Sequence, residues 1–310
     1  MKNKNSGLFI CSKPIQLIIQ NAVVSSLPSS HNSVDLWLVG KFYKSEELYE
    51  ELKKNKSCWK NISYFKTLYA AYKSLLTTCE YKQIYIDSDF GTVNIVLALC
   101  KLFGRDIYVV EEGIGIYNKD LLKSFDKTTG IIYLLKRLFF KIIGSGLYFG
   151  NSKWVKGIYV FDKMKYENIH LTYKKKVIEI PRSLKQEIYN KLDYYERIFN
   201  LQDVVSTIKV TNVDCVTIYS ASYHIRDYRQ FIDDDEFFII KMHPGYNNYS
   251  QFEKIDGNVI LLKNSAPTEV LVFLIGAFKK RVKVLHENSS VGNYLFKEKG
   301  IKVINLFERK

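Results

Sequence analysis

Cysteine is scarce in this chain and odd in number. Cys11, Cys58, Cys79, Cys100 and Cys215 stand mostly in or beside apolar runs, with no CxxC pair and no histidine at zinc-ligand spacing. That excludes a disulfide framework and a structural zinc site, and reads as reduced thiols in a cytoplasmic protein. Long apolar runs are also missing. No 18 apolar residues follow one another without a charge, and the opening MKNKNSGLFICSKPIQ is too short in apolar residues for a signal h-region. The expectation is a chain neither secreted nor membrane-spanning. No Gly/Ser, Pro or Gln tract argues for disorder. GxxxxGK[ST] and GxSxG are absent, and Gly113 and Gly115 lack the third glycine and following helix of a dinucleotide fingerprint.

What is present is a basic excess. The 46 Lys and Arg outnumber 32 Asp and Glu, a formal charge of +14, which attracts phosphorylated metabolites, anionic lipid or nucleic acid. The lysines are dispersed, and the 23 tyrosines mostly fit apolar or helix-face positions, so nucleic acid is not an expected partner. One segment, Ile131–Ile143 (IIYLLKRLFFKII), interleaves Lys136, Arg137 and Lys141 with apolar residues. It fits either an interfacial helix on an anionic leaflet or an ordinary helix packed on a neighbouring domain.

Short β-branched and aromatic runs alternate with helical patterns from the start, the signature of βαβ units and a parallel sheet. Strands are expected at Leu8–Cys11, Asp35–Val39, Ile62–Phe65, Gln83–Ile86 and Asp106–Val110, with helices at Ile15–Val24, Ser45–Lys54, Leu68–Thr78 and Val93–Phe103. Gly157–Phe161 adds a strand, and the charged stretch Lys174–Asn200 reads as a crossover. A second series has strands at Cys215–Tyr219, Phe237–Lys241, Val259–Leu262, Val282–Leu285 and Lys302–Ile304. Its helices lie near Tyr228–Ile232, Pro267–Phe278 and Gly292–Lys297. The expected architecture is α/β with two Rossmann-like domains, 1–200 and 201–310, whose parallel sheets face across a central cleft at the C-terminal strand ends.

Candidate chemistry stands at those ends. In VVEEGIGIY, Glu111 and Glu112 leave an apolar strand and Gly113 allows a sharp turn, so either carboxylate suits a general base; read blandly, both are surface glutamates. His243-Pro244 ends FFIIKMHPG, where an imidazole can donate to a phosphate or protonate a leaving group, or be a plain turn histidine. Ser289 and Ser290 open a helix after HEN and offer hydroxyls and helix N–H groups to an anion, or simply an N-cap. Ser220, Ser222 and His224 present similar groups, and Glu269 in NSAPTE can hold the two hydroxyls of a ribose. Asp87-Ser88-Asp89 after the strand QIYI has the form that holds Mn or Mg on a nucleotide diphosphate, but fits mainly a helix cap with acceptor contacts.

Taken in order, Glu-Glu-Gly, His-Pro and Ser-Ser, with the opening FICSKPIQLIIQNAV, resemble bacterial GT-B sialyltransferases from about residue 8 to residue 305. The similarity is to glycosyltransferase family 52, the lipooligosaccharide sialyltransferases, and more distantly to bacterial polysialyltransferases. The resemblance implies an inverting, metal-independent transferase without cofactor. It would move sialic acid from CMP-sialic acid to a sugar hydroxyl, such as that of a galactoside, on an oligosaccharide or glycolipid acceptor of lipooligosaccharide, O-antigen or capsule. It implies Glu111 as base and His243 binding or protonating the departing phosphate; Glu112 then shapes the turn at Gly113 or tunes its neighbour's pKa. Ser289 and Ser290 would bind phosphate or donor carboxylate, Glu269 the ribose, and Ser220 and Ser222 would lie beside the phosphate. Some family members carry a carboxylate after the first strand of the second domain; here His224 is the titratable group in that loop. A monophosphate leaving group can be stabilised by such groups without a divalent ion. The basic surface suits a cytoplasmic protein in peripheral contact with the anionic inner membrane. A UDP-sugar transferase on the same scaffold and a non-catalytic two-domain binding protein are the alternatives.

Overall fold

The computed structural model describes residues 6–28, 34–55, 58–78, 80–124, 129–221, 236–243, 245, 259–278, 281–287, 289, 291–295 and 298–306. Two compact units share the chain: residues 1–40 with 56–184, and residues 41–55 with 185–310.

The first unit is built on seven strands, β1 (Ser6–Cys11), β2 (Val34–Val39), β3 (Ile62–Phe65), β4 (Tyr81–Ile86), β5 (Asp106–Val110), β6 (Gly157–Val160) and β7 (Lys176–Glu179). All pair in parallel in the order β3-β2-β1-β4-β5-β6-β7. The helices that accompany these strands in sequence are α1 (Pro14–Val24), α2 (Ser45–Lys54), α3 (Leu68–Thr77), α4 (Val93–Leu102), α5 (Leu121–Ser124), α6 (Gly130–Ile143) and α7 (Lys163–Ile169). Of these, α2 belongs to the second unit.

Period-two alternation divides the first sheet into two chemistries. Leu8, Ile10, Ile84, Ile86, Ile107, Val109, Ile158 and Val160 form an aliphatic core with Leu75, Leu97 and Cys100 from the helices. Phe9, Tyr85, Tyr108 and Tyr159, from the adjacent strands β1, β4, β5 and β6, make a row of rings. Phe9 stacks on Tyr85 with centroids 4.1 Å apart, and Tyr85 on Tyr108 at 5.4 Å. Tyr85, Tyr108 and Tyr159 thus serve cross-strand packing.

The second unit has a five-stranded parallel sheet in the order β10-β9-β8-β11-β12, made of β8 (Cys215–Ala221), β9 (Phe237–Met242), β10 (Val259–Leu262), β11 (Arg281–His286) and β12 (Ile301–Asn305). Helices α8 (Leu184–Asn190), α9 (Leu192–Ile198) and α10 (Gln202–Val210) precede it, and α11 (Thr268–Gly276) and α12 (Val291–Leu295) lie within it. From Thr268 to Ile275 every residue of α11 is buried, the pattern of a helix enclosed on all sides.

The crossover expected over Lys174–Asn200 holds structure of its own: β7 at the edge of the first sheet, then α8 and α9. The Tyr228–Ile232 helix expected from sequence lies outside the described residues.

Candidate active site

In both sheets the chain reverses its direction of winding beside the first strand, between β1 and β4 in one and between β8 and β11 in the other. In open parallel sheets the C-terminal strand ends at such a switch form the binding crevice. Among the described residues, Glu111, Glu112 and Gly113 follow β5 in the first unit, and Ser220, His243, Glu269 and Ser289 stand at or after strand ends or at a helix start in the second.

At the first edge the paired glutamates have separate surroundings. Glu111 is 2% exposed. Its N–H continues the ladder to the Tyr159 carbonyl at 2.9 Å. Its Oε2 accepts the Phe161 N–H at 2.8 Å and the Tyr117 hydroxyl at 3.2 Å. Burial first, and then the Glu111 carboxylate, push the Tyr117 phenol far above its ordinary range, so Tyr117 remains a donor. Glu112 instead pairs with Lys13, from the loop after β1. Gly113, at φ +72°, makes the left-handed turn between them and a 3-10 turn at Gly113–Tyr117.

Two further groups hold this edge together, Asp87 of the Asp-Ser-Asp stretch and His170, which the sequence did not single out. Asp87, after β4, takes both the Ser12 hydroxyl and the Gln16 amide on Oδ2, each at 2.8 Å. Gln16 in turn accepts the N–H groups of Ser12 and Lys13 at 2.8 and 3.0 Å. With Lys13 on Glu112, the ends of β1, β4 and β5 are tied by side chains. The second group is His170, which follows α7 and is buried at 4% exposure against Tyr148, the two rings 4.0 Å apart and 11° from parallel. Its Nε2 lies 3.0 Å from the Ile116 carbonyl, so that nitrogen carries the proton and donates. Burial lowers its pKa and keeps the ring neutral. The only sequence signal for His170 was a histidine among tyrosines.

Asp89 corrects the expectation of a helix cap. It is 1% exposed, and its Oδ1 and Oδ2 accept the N–H groups of Gly150 and Ser152 at 2.9 and 2.8 Å. Burial raises its pKa while those two donors pull it back. The N-cap of α4 is Thr92, without a side-chain cap bond. Asp87 and Asp89 thus bind different segments, and no cluster of three His, Cys, Asp or Glu is present among the described residues.

At the second edge, strand register puts Ser220 beside both Lys241 and His286. The Ser220 hydroxyl lies 3.0 Å from the Thr268 hydroxyl at the start of α11. Lys241 is buried and donates to the carbonyls of Met242 and Asn264 at 2.7 and 3.1 Å. Burial pulls its ammonium down to about 7 against the attraction of Glu269. Glu269, buried at the start of α11, is pushed up to about 7 by desolvation, opposed by its own N–H and by Lys241.

Next to Met242, His243 is exposed, and its Nδ1 accepts the Gly245 N–H at 3.0 Å. The neutral ring therefore carries its proton on Nε2. Ser289 donates its N–H to His286 Nδ1 at 3.2 Å, and its hydroxyl accepts the Val291 N–H at 3.3 Å, a capping contact at α12. A Cβ on Gly292 would stand 3.0 Å from the His286 ring, so any larger residue there would have to displace that ring slightly. Ser222, His224, Pro244 and Ser290 lie outside the described residues.

The sequence model of the alpha-2,8-polysialyltransferase family matches residues 1–275. No curated protein sequence matches the chain. Among solved structures, UDP-GlcNAc 2-epimerase of Methanocaldococcus jannaschii in complex with UDP-GlcNAc and UDP aligns with a TM-score of 0.57 at 10% identity, over 97% of this chain and 89% of that one. The wall teichoic acid polymerase TagF aligns at 0.52 and 14% identity, over 94% and 67%. The GT-B domain of a sialyltransferase from Photobacterium damselae aligns at 0.51 and 9% identity, over 96% and 90%. At such identities the likeness shows the fold alone, and that fold is GT-B.

Proposed function

The chain belongs to the alpha-2,8-polysialyltransferase family and is a glycosyltransferase, and from that premise we propose that it transfers sialic acid from CMP-sialic acid to a sugar hydroxyl of a bacterial surface glycan, with inversion and without a metal ion. The observation that carries this reading is the family match over residues 1–275. The resemblance drawn from sequence ranked family 52 first; the match falls on the second family it named.

In this reading Glu111 takes the proton of the acceptor hydroxyl as its oxygen bonds to C2 of the sialyl group. The bond from C2 to the phosphate oxygen breaks, and its electron pair leaves with CMP. His243 donates from Nε2 to the departing phosphate, a role favoured by the Gly245 N–H on Nδ1. Ser220, Ser222, Ser289 and Ser290 line the donor phosphate and carboxylate, and Glu269 belongs to the ribose end. Glu269 reaches a ribose only if that sugar enters beside α11, because the carboxylate is 3% exposed. The acceptor is a galactoside on lipooligosaccharide, O-antigen or capsule. The α-2,8 linkage that names the family favours, as a second reading, a sialyl terminus extended through an α-2,8 bond. The reaction takes place in the cytoplasm, at the inner face of the membrane that carries the growing glycan.

The test is release of CMP from CMP-sialic acid by purified protein in EDTA, with galactoside and sialylated acceptors in turn. Product with either acceptor supports the proposal. Activity only with a UDP-sugar and Mn would overturn it.

A further inference from the structure

Helix α6 is built inside out. A surface helix normally turns its apolar stripe to the core and its charges to water. Here Ile131, Leu134, Leu135, Leu138 and Ile142, at the i, i+3, i+4, i+7 and i+11 positions of one face, each leave 57 to 73% of their surface to solvent, and no residue of the helix is buried. The face turned to the protein is the sparser one: Tyr133, Lys136, Phe140 and Ile143 are its partly covered residues. Phe140 meets Phe90 edge to face at 5.2 Å, just before α4. On α4 a second apolar stripe, Ile95, Leu99 and Leu102, is likewise exposed.

The helix is fixed rather than loose at its end. Gly144 terminates it at φ +82°, and the Trp154 indole donates to the Ile143 carbonyl at 2.8 Å. A Cβ at Gly144 would stand 2.6 Å from that indole nitrogen. The outward stripe is therefore a held surface.

We propose that this face is a docking surface for an anionic lipid bilayer, with the outward stripe of α6 lying in the headgroup boundary. The charge selects this occupant. Beside the stripe, Arg137 and Lys141 on the helix and Lys153 after it are exposed, while Lys156 is paired with Asp106; an apolar face bordered by exposed cations is the composition of an interfacial helix. A second copy of the chain seated on the same face would set the exposed Arg137 and Lys141 of one copy against those of the other. Anionic headgroups neutralise them instead. The proposal goes beyond the reaction above and does not depend on its donor or acceptor.

The experiment is co-sedimentation of the full chain with phosphatidylcholine vesicles, with and without phosphatidylglycerol, in the absence of sugar nucleotide. The wild type is expected to sediment with the anionic vesicles. Leu134→Glu combined with Leu138→Glu should lower the bound fraction at least ~10-fold. Arg137→Glu combined with Lys141→Glu should abolish the preference for phosphatidylglycerol. All four positions are solvent-exposed, and unchanged thermal unfolding of the variants verifies that they fold. Wild type remaining in the supernatant, equal binding by the Leu variant, or a wild-type dimer in solution that the Leu variant splits would each overturn the proposal. Because no donor is present, these failures are distinct from failure of the sialyltransferase assignment.

Discussion

His170 and Ile116 meet through a hydrogen bond of 3.0 Å between imidazole Nε2 and backbone carbonyl, so a buried histidine holds the turn that follows Glu111 and Glu112. Replacing His170 by Ala leaves that carbonyl without its donor and removes the ring stacked on Tyr148. The expected cost is about 1–3 kcal/mol of stability, read from denaturant unfolding. Burial lowers the His170 pKa in the folded protein. The unfolded chain therefore binds the extra proton first, and the wild type should lose stability as pH falls below ~6.5. The His170→Asn variant should lack that part of the decline.

Glu111→Gln preserves the shape of the side chain, and its amide oxygen can still accept from Phe161 N–H and Tyr117. Loss of a general base typically lowers turnover by about 10²–10⁴-fold. Turnover should fall by this order while CMP affinity, measured by calorimetry, is unchanged. Turnover close to that of the wild type would move the role to Glu112 or His224.

Asp89→Asn separates a structural role from a metal-binding one. An amide can accept with only one of its two terminal atoms, so either Gly150 or Ser152 keeps a buried N–H without a partner. A loss of about 1–3 kcal/mol is expected, visible as a lower Tm. Turnover of the folded fraction should match the wild type in EDTA. A variant of unchanged Tm that turns over only with added Mn would contradict the structural role.

Much of the fold was legible because β-branched and aromatic runs bounded by turns dictate buried parallel strands. Ile62–Phe65, Asp106–Val110 and Val259–Leu262 coincide with their expected limits, as does the helix Ser45–Lys54. β7 was hidden by its position: in KKKVIEI only Val177 of the strand is fully covered, since an edge strand among lysines needs little apolar sequence. The site was legible where a residue type at a strand end announces itself, as with Glu111 and His243. It was not legible where the decisive fact is a distant partner. Nothing local to Glu112 announces Lys13, and nothing in Asp-Ser-Asp reveals that Asp89 turns to residues 150 and 152. Lys241 read as the polar end of an apolar strand, yet its ammonium is buried beneath two carbonyls.

Lys241 and Glu269 give a further prediction. Each is buried, and each is drawn toward its neutral form by desolvation while the other opposes the shift. Lys241→Met removes the cation near Glu269 and strands the Met242 and Asn264 carbonyls. The expected destabilisation is about 1–3 kcal/mol, the cost of leaving buried acceptors unpaired. Adding Glu269→Gln should restore part of that loss, so a double-mutant cycle in urea should show coupling. Strict additivity would mean that the two groups do not interact.

Helix α2 is encoded between two strands of the first unit but belongs to the second, where it packs on α9 with Leu48 and Leu52 buried. During synthesis this helix leaves the ribosome long before α9 exists, so its apolar side must wait unpaired while the sheet around it in sequence forms. Neither unit can then be obtained by a single cut. A fragment beginning at residue 185 lacks a piece of its own core, and one ending at 184 carries a helix that belongs elsewhere. The two halves of this enzyme are separable in architecture and inseparable in the gene.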